Sequence, residues 1–151
     1  MSSSDISVIY WDSSAVLSTL VQDSHSEHAM RYAGTNAVHL LSSLAFAEVY
    51  AVLNRIKRER EMAEILVNAS METLGSGPWR KIRIDPDIGE LRKLASKWPL
   101  RGADLWHLAT AKTVQRELPE LLVLTFDKLL YHASVGENIA CDMQSRHMLS
   151  N

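Results

Sequence analysis

The sequence predicts an α/β fold with a mostly parallel central sheet, and three observations carry that expectation. Short β-rich apolar runs alternate with helical stretches along the chain, the pattern of a sheet with helices on both faces. The strand candidates, VIYW and LLVLTF among them, are nearly continuous in apolar residues, as buried strands are. Four carboxylates, Asp12, Glu48, Asp104 and Asp127, fall where such an alternation delivers them to one edge of the sheet.

Residues 6–11 form the first strand, ended by Asp12-Ser13-Ser14, with Ser13 or Ser14 capping a helix over 15–21. Residues 26–32 make a second helix, stopped at Gly34. A strand at 37–41 leads to Ser42 or Ser43, which opens a long helix from residue 44 to about 60. Its basic end suits the helix dipole. Residues 61–74 add a helix closed by Gly75-Ser76-Gly77-Pro78, the clearest breaker in the chain. A short strand at 81–84 precedes a helix begun by Asp85-Pro86 and running to about residue 97. Beyond Pro99 lies a helix over 103–117, then the best strand in the sequence at 121–126. A short helix to about residue 134 and a last strand near 138–141 complete the pattern.

At 151 residues, 46% hydrophobic and 23% charged, the chain has the size and composition of one soluble globular domain. Its longest largely apolar stretch, 38–53, is interrupted by Ser42, Ser43 and Glu48 and is too short to span a membrane. The N-terminal MSSSD lacks the basic and apolar regions of a secretory signal. The single cysteine, Cys141, allows no internal disulfide and fits a reducing cytoplasm. Net charge is −2, yet positive residues clump at 55–60, 80–83 and 92–101. Each clump alone reads as a solvated helix face. Around an acidic centre, the same clumps would form a rim able to hold a phosphate backbone.

Asp12 and Asp127 each follow a strand directly, Glu48 sits early in the helix leaving the second strand, and Asp104 lies in the first turn of a nearly all-apolar helix. Each has a simpler account alone. Asp12 and Asp127 could be N-caps, Asp104 could favour the positive helix end, and Glu48 could pair with Arg55 or Arg101. Together they point to a carboxylate cluster, which suits a hard cation, Mg²⁺ or Mn²⁺, rather than zinc. His107, on the face of Asp104, could reach a metal or phosphate, and reads first as a hydrogen-bonded packing residue. His25 and His28 lie in a polar helix and read as facing solvent. Ser13 and Thr125, beside Asp12 and Asp127, could hydrogen-bond a carboxylate or a phosphate oxygen, with capping as the alternative.

Four segments resemble the PIN-domain nucleases over most of the chain. They are YWDSSA with Asp12, SSLAFAEV with Glu48, LRGADLWHLATA with Asp104, and LTFDKLL with Asp127. Trp11 and Trp106 are bulkier than the pattern usually carries. In size and motif spelling the chain is most similar to the toxin subunits of bacterial type II toxin–antitoxin pairs, the VapC kind. The resemblance implies a PIN-like three-layer α/β/α fold, with residues 1–141 as one nuclease domain and 142–151 as a C-terminal tail. It implies a Mg²⁺- or Mn²⁺-dependent endoribonuclease that hydrolyses phosphodiester bonds. Asp12 and Asp104 would be central metal ligands, Glu48 and Asp127 would complete the acidic pocket, and Arg101 would contact phosphate. Further implications are a homodimer, a cognate antitoxin that inserts into the site, and an interface on the helices of residues 55–74.

Other readings fit less well. A phosphoryl-transfer enzyme with an aspartyl intermediate wants a second acid at the position of Ser14. A receiver domain wants an early acidic pair, and Lys128 alone does not make one. A PIN-type protein that binds RNA or regulates without cutting, and a housekeeping RNA-processing nuclease, remain the alternatives.

Overall fold

The computed structural model describes residues 7–142; residue 6 of the expected first strand and the expected tail from 143 onward lie outside them. The chain runs β1 (Val8–Trp11), α1 (Ser13–Leu20), α2 (Ser26–Ala33), β2 (Val38–Ser42), α3 (Ser43–Arg58) and α4 (Glu64–Ser76). It continues with β3 (Trp79–Ile82), α5 (Ile88–Lys97), α6 (Gly102–Gln115), β4 (Leu121–Leu124) and α7 (Lys128–Gly136). The sheet is wholly parallel in the order β3-β2-β1-β4. All four strands therefore end at the same edge.

Alternation within β1 builds the two cores. Ile9 and Trp11 face one side, where they pack with Val16 of α1, Val49 and Leu53 of α3, and Val67 of α4. Val8 and Tyr10 face the other, against Leu94 of α5, Leu108 of α6 and Leu130 of α7. Helices thus cover both faces of the sheet, the three-layer arrangement expected.

Several boundaries move, each for a visible reason. The cap of α1 is Asp12, not a serine, and its carboxylate accepts from Ala15 N. The strand expected at 81–84 is Trp79–Ile82, because its neighbour β2 ends at Ser42, paired with Ile82. Trp79 anchors the start of β3 by packing edge-on against Trp11, ring centroids 5.6 Å apart. For the same reason β4 stops at Leu124, the partner of Trp11, where the sequence ran on to residue 126. The helix expected from Asp85-Pro86 waits for the Asp87 cap, which accepts from Glu90 N.

The expected last strand shrinks to one parallel bridge, Val123 to Ala140. The reason lies in the turn before it. Asn138, at φ 59, sends its N–H to Val135 O while Ile139 N reaches Ser134 O, a Schellman ending of α7 that uses up the approach. The long helix ends identically. Arg60 is at φ 55, Arg60 N donates to Lys57 O and Glu61 N to Ile56 O. That turn delays α4 until Glu64.

Candidate functional site

The carboxyl edge of the sheet gathers the four acids by four different local devices. Asp12 and Asp127 are N-caps of α1 and α7, each accepting from the backbone three residues on. Asp104 rides in the first turn of α6 and Glu48 in the second turn of α3. Asp12 is 3% exposed, while the other three are partly open to solvent.

Two hydroxyls hold the Asp12 carboxylate. Thr125 donates to Oδ2 at 2.6 Å and accepts from Asp127 N at 3.1 Å. Ser14 donates to Oδ1 at 2.7 Å and accepts from Phe126 N at 3.0 Å. Each hydroxyl thereby ties the end of β1 to the segment leaving β4. The expected Asp12 contact was Ser13; the serine that makes it is Ser14. Burial pushes the Asp12 carboxyl above its ordinary range, with the bonds from Thr125, Ala15 N and Ser14 opposing that push. A buried carboxylate needs such donors to remain ionised.

Glu48 has a partner that sequence reasoning did not name. His107 Nε2 lies 2.7 Å from Glu48 Oε1, and Nδ1 lies 2.7 Å from the Tyr10 hydroxyl. An ionised carboxylate only accepts, so Nε2 carries the proton; in the neutral ring Nδ1 then accepts from Tyr10. Tyr10 is fully buried and its hydroxyl is pushed well above the usual range, first by that burial, so it keeps its proton. His107, 1% exposed, is the packing residue expected, and it also orients an acid.

Asp104 senses the other acids. The Asp104 carboxyl is raised first by burial, then by the negative charge of Asp127 and, more weakly, Glu48; His107 and Arg101 oppose this. Arg101 is exposed at the start of α6. By donor chemistry, carboxylates with flanking hydroxyls fit a hard divalent cation. As the side chains stand, no three acid, histidine or cysteine groups among the described residues are gathered closely enough to grip one.

The basic clumps separate on folding. Lys57 pairs with Glu64, and Lys97 pairs with Glu137. Arg80, Lys81 and Arg83 stay exposed along and just past the edge strand β3, with Lys81 Nζ 4.1 Å from the centre of the Phe46 ring. His25 does not simply face solvent, as its polar helix suggested. Its ring lies flat on Phe126, centroids 4.5 Å apart and planes 4° apart. Cys141 is buried and its thiol is pushed up to about 12 by that burial, so it is inert.

The PIN-domain sequence profile matches residues 9–135, from the first strand to the last helix. The chain belongs to the PIN-domain family. No curated protein matches it at the level of sequence. Among solved structures, it is similar to PAE2754 from Pyrobaculum aerophilum, with TM-score 0.64, 16% identity, and coverage of 93% of this chain and 86% of that one. Mycobacterium tuberculosis VapC20, described as a sarcin-ricin loop cleaving toxin, gives TM-score 0.57 at 17% identity, covering 83% and 94%. VapBC2 from Rickettsia felis, solved with a DNA fragment from its promoter, gives 0.56 at 13% identity, covering 87% and 92%. At such identities these likenesses speak for the PIN fold. No helix among the described residues is long and apolar enough to cross a membrane.

Proposed function

We propose that this PIN-domain chain is a divalent-metal-dependent endoribonuclease, the toxin of a cytoplasmic toxin–antitoxin pair. The observation that carries the reading is the meeting of the acids at the carboxyl edge, where Asp12 is buried and Asp104 is raised first by burial and then by the charges of Asp127 and Glu48. Carboxylates held at that cost suit a cationic occupant. Asp12 and Asp104 would hold Mg²⁺ or Mn²⁺, with Glu48 and Asp127 completing the pocket. The cation supplies charge neutralisation at a phosphodiester and a lowered pKa for attacking water.

The protein's own residues set the stage for that chemistry. Thr125 and Ser14 fix the Asp12 carboxylate from both sides. His107 fixes Glu48, and the buried Tyr10 hydroxyl fixes His107. Arg101, whose positive charge opposes the rise of the Asp104 carboxyl, would meet a phosphate oxygen. Arg80, Lys81 and Arg83 extend that attraction along the backbone of the nucleic acid. The toxin role and the antitoxin partner are the finer parts of the proposal, supported by the VapC20 and VapBC2 likenesses; a homodimer rests on the motif resemblance alone.

The test is incubation of total cellular RNA with purified protein, with Mn²⁺ or Mg²⁺, with EDTA, and with Asp104→Asn protein. Discrete fragments that need metal and vanish in the variant are the expected result. Intact RNA under every metal, with folded protein free of inhibitor, would overturn the enzyme reading.

A further inference from the structure

The loop between α1 and α2 is held more firmly than its polar sequence suggests. Asp23 accepts from the Ser18 hydroxyl at 2.8 Å, from His25 N at 2.8 Å and from the Ser26 hydroxyl at 3.3 Å. Asp23 N in turn donates to Ser26 Oγ at 2.8 Å, and that same hydroxyl lies 3.0 Å from Val21 O. This web settles the backbone of His25 before any ligand arrives, which lowers the ordering cost of binding.

The His25 ring is set flat on Phe126, and His28 packs edge-on against the same phenyl at 5.7 Å. Phe126 belongs to the acidic edge. It lies between Thr125 and Asp127, and its N–H bonds the Ser14 hydroxyl that holds Asp12. His25 is half-buried. One face is spent on Phe126, so its accessible surface is the opposite face and the ring edge. Among the described residues neither ring nitrogen of His25 has a hydrogen-bond partner. An immobilised aromatic ring whose second face meets no other ring among the described residues, beside the acidic edge, has the form of a base-stacking platform.

We propose that His25 stacks a nucleobase of single-stranded RNA and so seats the strand across the acidic edge, an inference that rests on the ribonuclease reading. The interaction needs a π-face and not a titrating group, which gives a sharp comparison. His25→Ala removes the platform, whereas His25→Phe preserves it and removes only the ring nitrogens. With Mn²⁺, His25→Ala raises KM for a single-stranded oligoribonucleotide roughly five- to hundredfold, the range of one base–aromatic stack, and lowers kcat far less. His25→Phe restores most of the lost KM. In parallel, a 2-aminopurine base placed along the oligoribonucleotide is quenched on binding Asp104→Asn protein, which leaves the strand intact, and His25→Ala in that background abolishes the quench.

A wild-type KM in His25→Ala overturns the proposal. So does a folded His25→Phe that binds as poorly as His25→Ala, since the contact would then be polar. Should His25→Ala fail to fold, the quench with His25 in place still decides, because its absence at every probe position excludes stacking. Wild-type protein that neither binds nor cleaves RNA removes the ribonuclease reading and this inference with it. Wild-type cleavage with an unaffected His25→Ala removes the inference alone.

Discussion

Glu137 offers the firmest quantitative prediction, because its charge is set by partners that are all on view. It caps α7 and accepts from three donors: Lys112 Nζ at 2.7 Å, Lys97 Nζ at 2.9 Å and Trp98 Nε1 at 2.8 Å. Its side chain is only 6% exposed, and burial by itself would raise its pKa. The hydrogen bonds from Lys112, Lys97 and Trp98 outweigh that and bring it down to about 2 from an ordinary 4.5. A depressed carboxylate stabilises the fold above its unfolded pKa and loses that contribution as pH falls toward the folded one. The full shift corresponds to about 3 kcal/mol, at about 1.4 kcal/mol per unit. Lys97 is half-exposed, and a glutamine can still accept from Trp98. Glu137→Gln is therefore expected to cost about 2 kcal/mol at pH 7, a Tm decrease of roughly 4–8 °C for a chain of this size. Thermal melts followed by circular dichroism should show a gap that is constant above about pH 5 and falls below half by about pH 3. A gap that persists unchanged at pH 3 would refute the reasoning, since the loss would then come from packing and not from charge.

Three further outcomes follow from particular residues. Arg60 adopts φ 55 at the end of α3, where glycine carries no Cβ penalty, so Arg60→Gly should raise stability by about 1 kcal/mol in urea unfolding. Thr125→Val removes the hydroxyl that lowers the pKa of buried Asp12. The acid limb of the RNA-cleavage pH profile should then move to higher pH, with a larger loss of rate at pH 6 than at pH 8. Mn²⁺ at about a hundredfold over its Kd should stabilise the fold by about 2.7 kcal/mol, read as a Tm rise. That rise should shrink at pH 5, where Asp12 and Asp104, both raised, hold more protons, and vanish in Asp104→Asn.

The order of elements was legible because strand and helix differ in period and the turns between them carry strong caps. Their ends were less so, since β3 and β4 stop where β2 and β1 stop, a tertiary fact invisible in a local window. Arg60 hid the break before α4, because a left-handed residue that is not glycine or asparagine sends no signal in sequence. At the site, the four acids stood out as carboxylates among apolar neighbours. Their partners did not. For Glu48 the sequence offers Arg55 or Arg101 as a partner, yet its partner is His107, 59 positions away, and only the carboxyl edge of the sheet, where helices from opposite faces meet, brings the two together. Ser13 and Ser14 are adjacent and chemically identical, and the phase of the first turn of α1 decides which one reaches Asp12. His25 looked solvated because its helix is polar, while the ring that covers it, Phe126, arrives from the segment that follows β4.

Sequence posed a choice for Asp12 and Asp127 between helix cap and site acid, and the geometry makes the two roles compatible. Capping uses one lone pair of a carboxylate that offers about four. Asp127 accepts one capping bond and keeps most of its capacity. Asp12 accepts from Ala15 N, Ser14 and Thr125, so it is fixed in place with roughly one lone pair left. That difference matters for the mutants that would test the site. In Asp12→Asn, the amide NH₂ must face either the Thr125 hydroxyl or the Ser14 and Ala15 donors, leaving donors opposed in a buried setting. The expected cost is about 1–3 kcal/mol of fold stability, so lost cleavage in that variant would confound chemistry with folding. Asp104 has no such network, and its carboxyl is raised by burial and by Asp127. A raised acid opposes folding above its folded pKa and ceases to as pH falls below it. Asp104→Asn should therefore melt at or above the wild-type Tm at pH 7, with any gain lost in acid. A Tm for Asp104→Asn clearly below wild type, together with an unaffected Asp12→Asn, would reverse the assignment of which acid is structural and which is held at a cost.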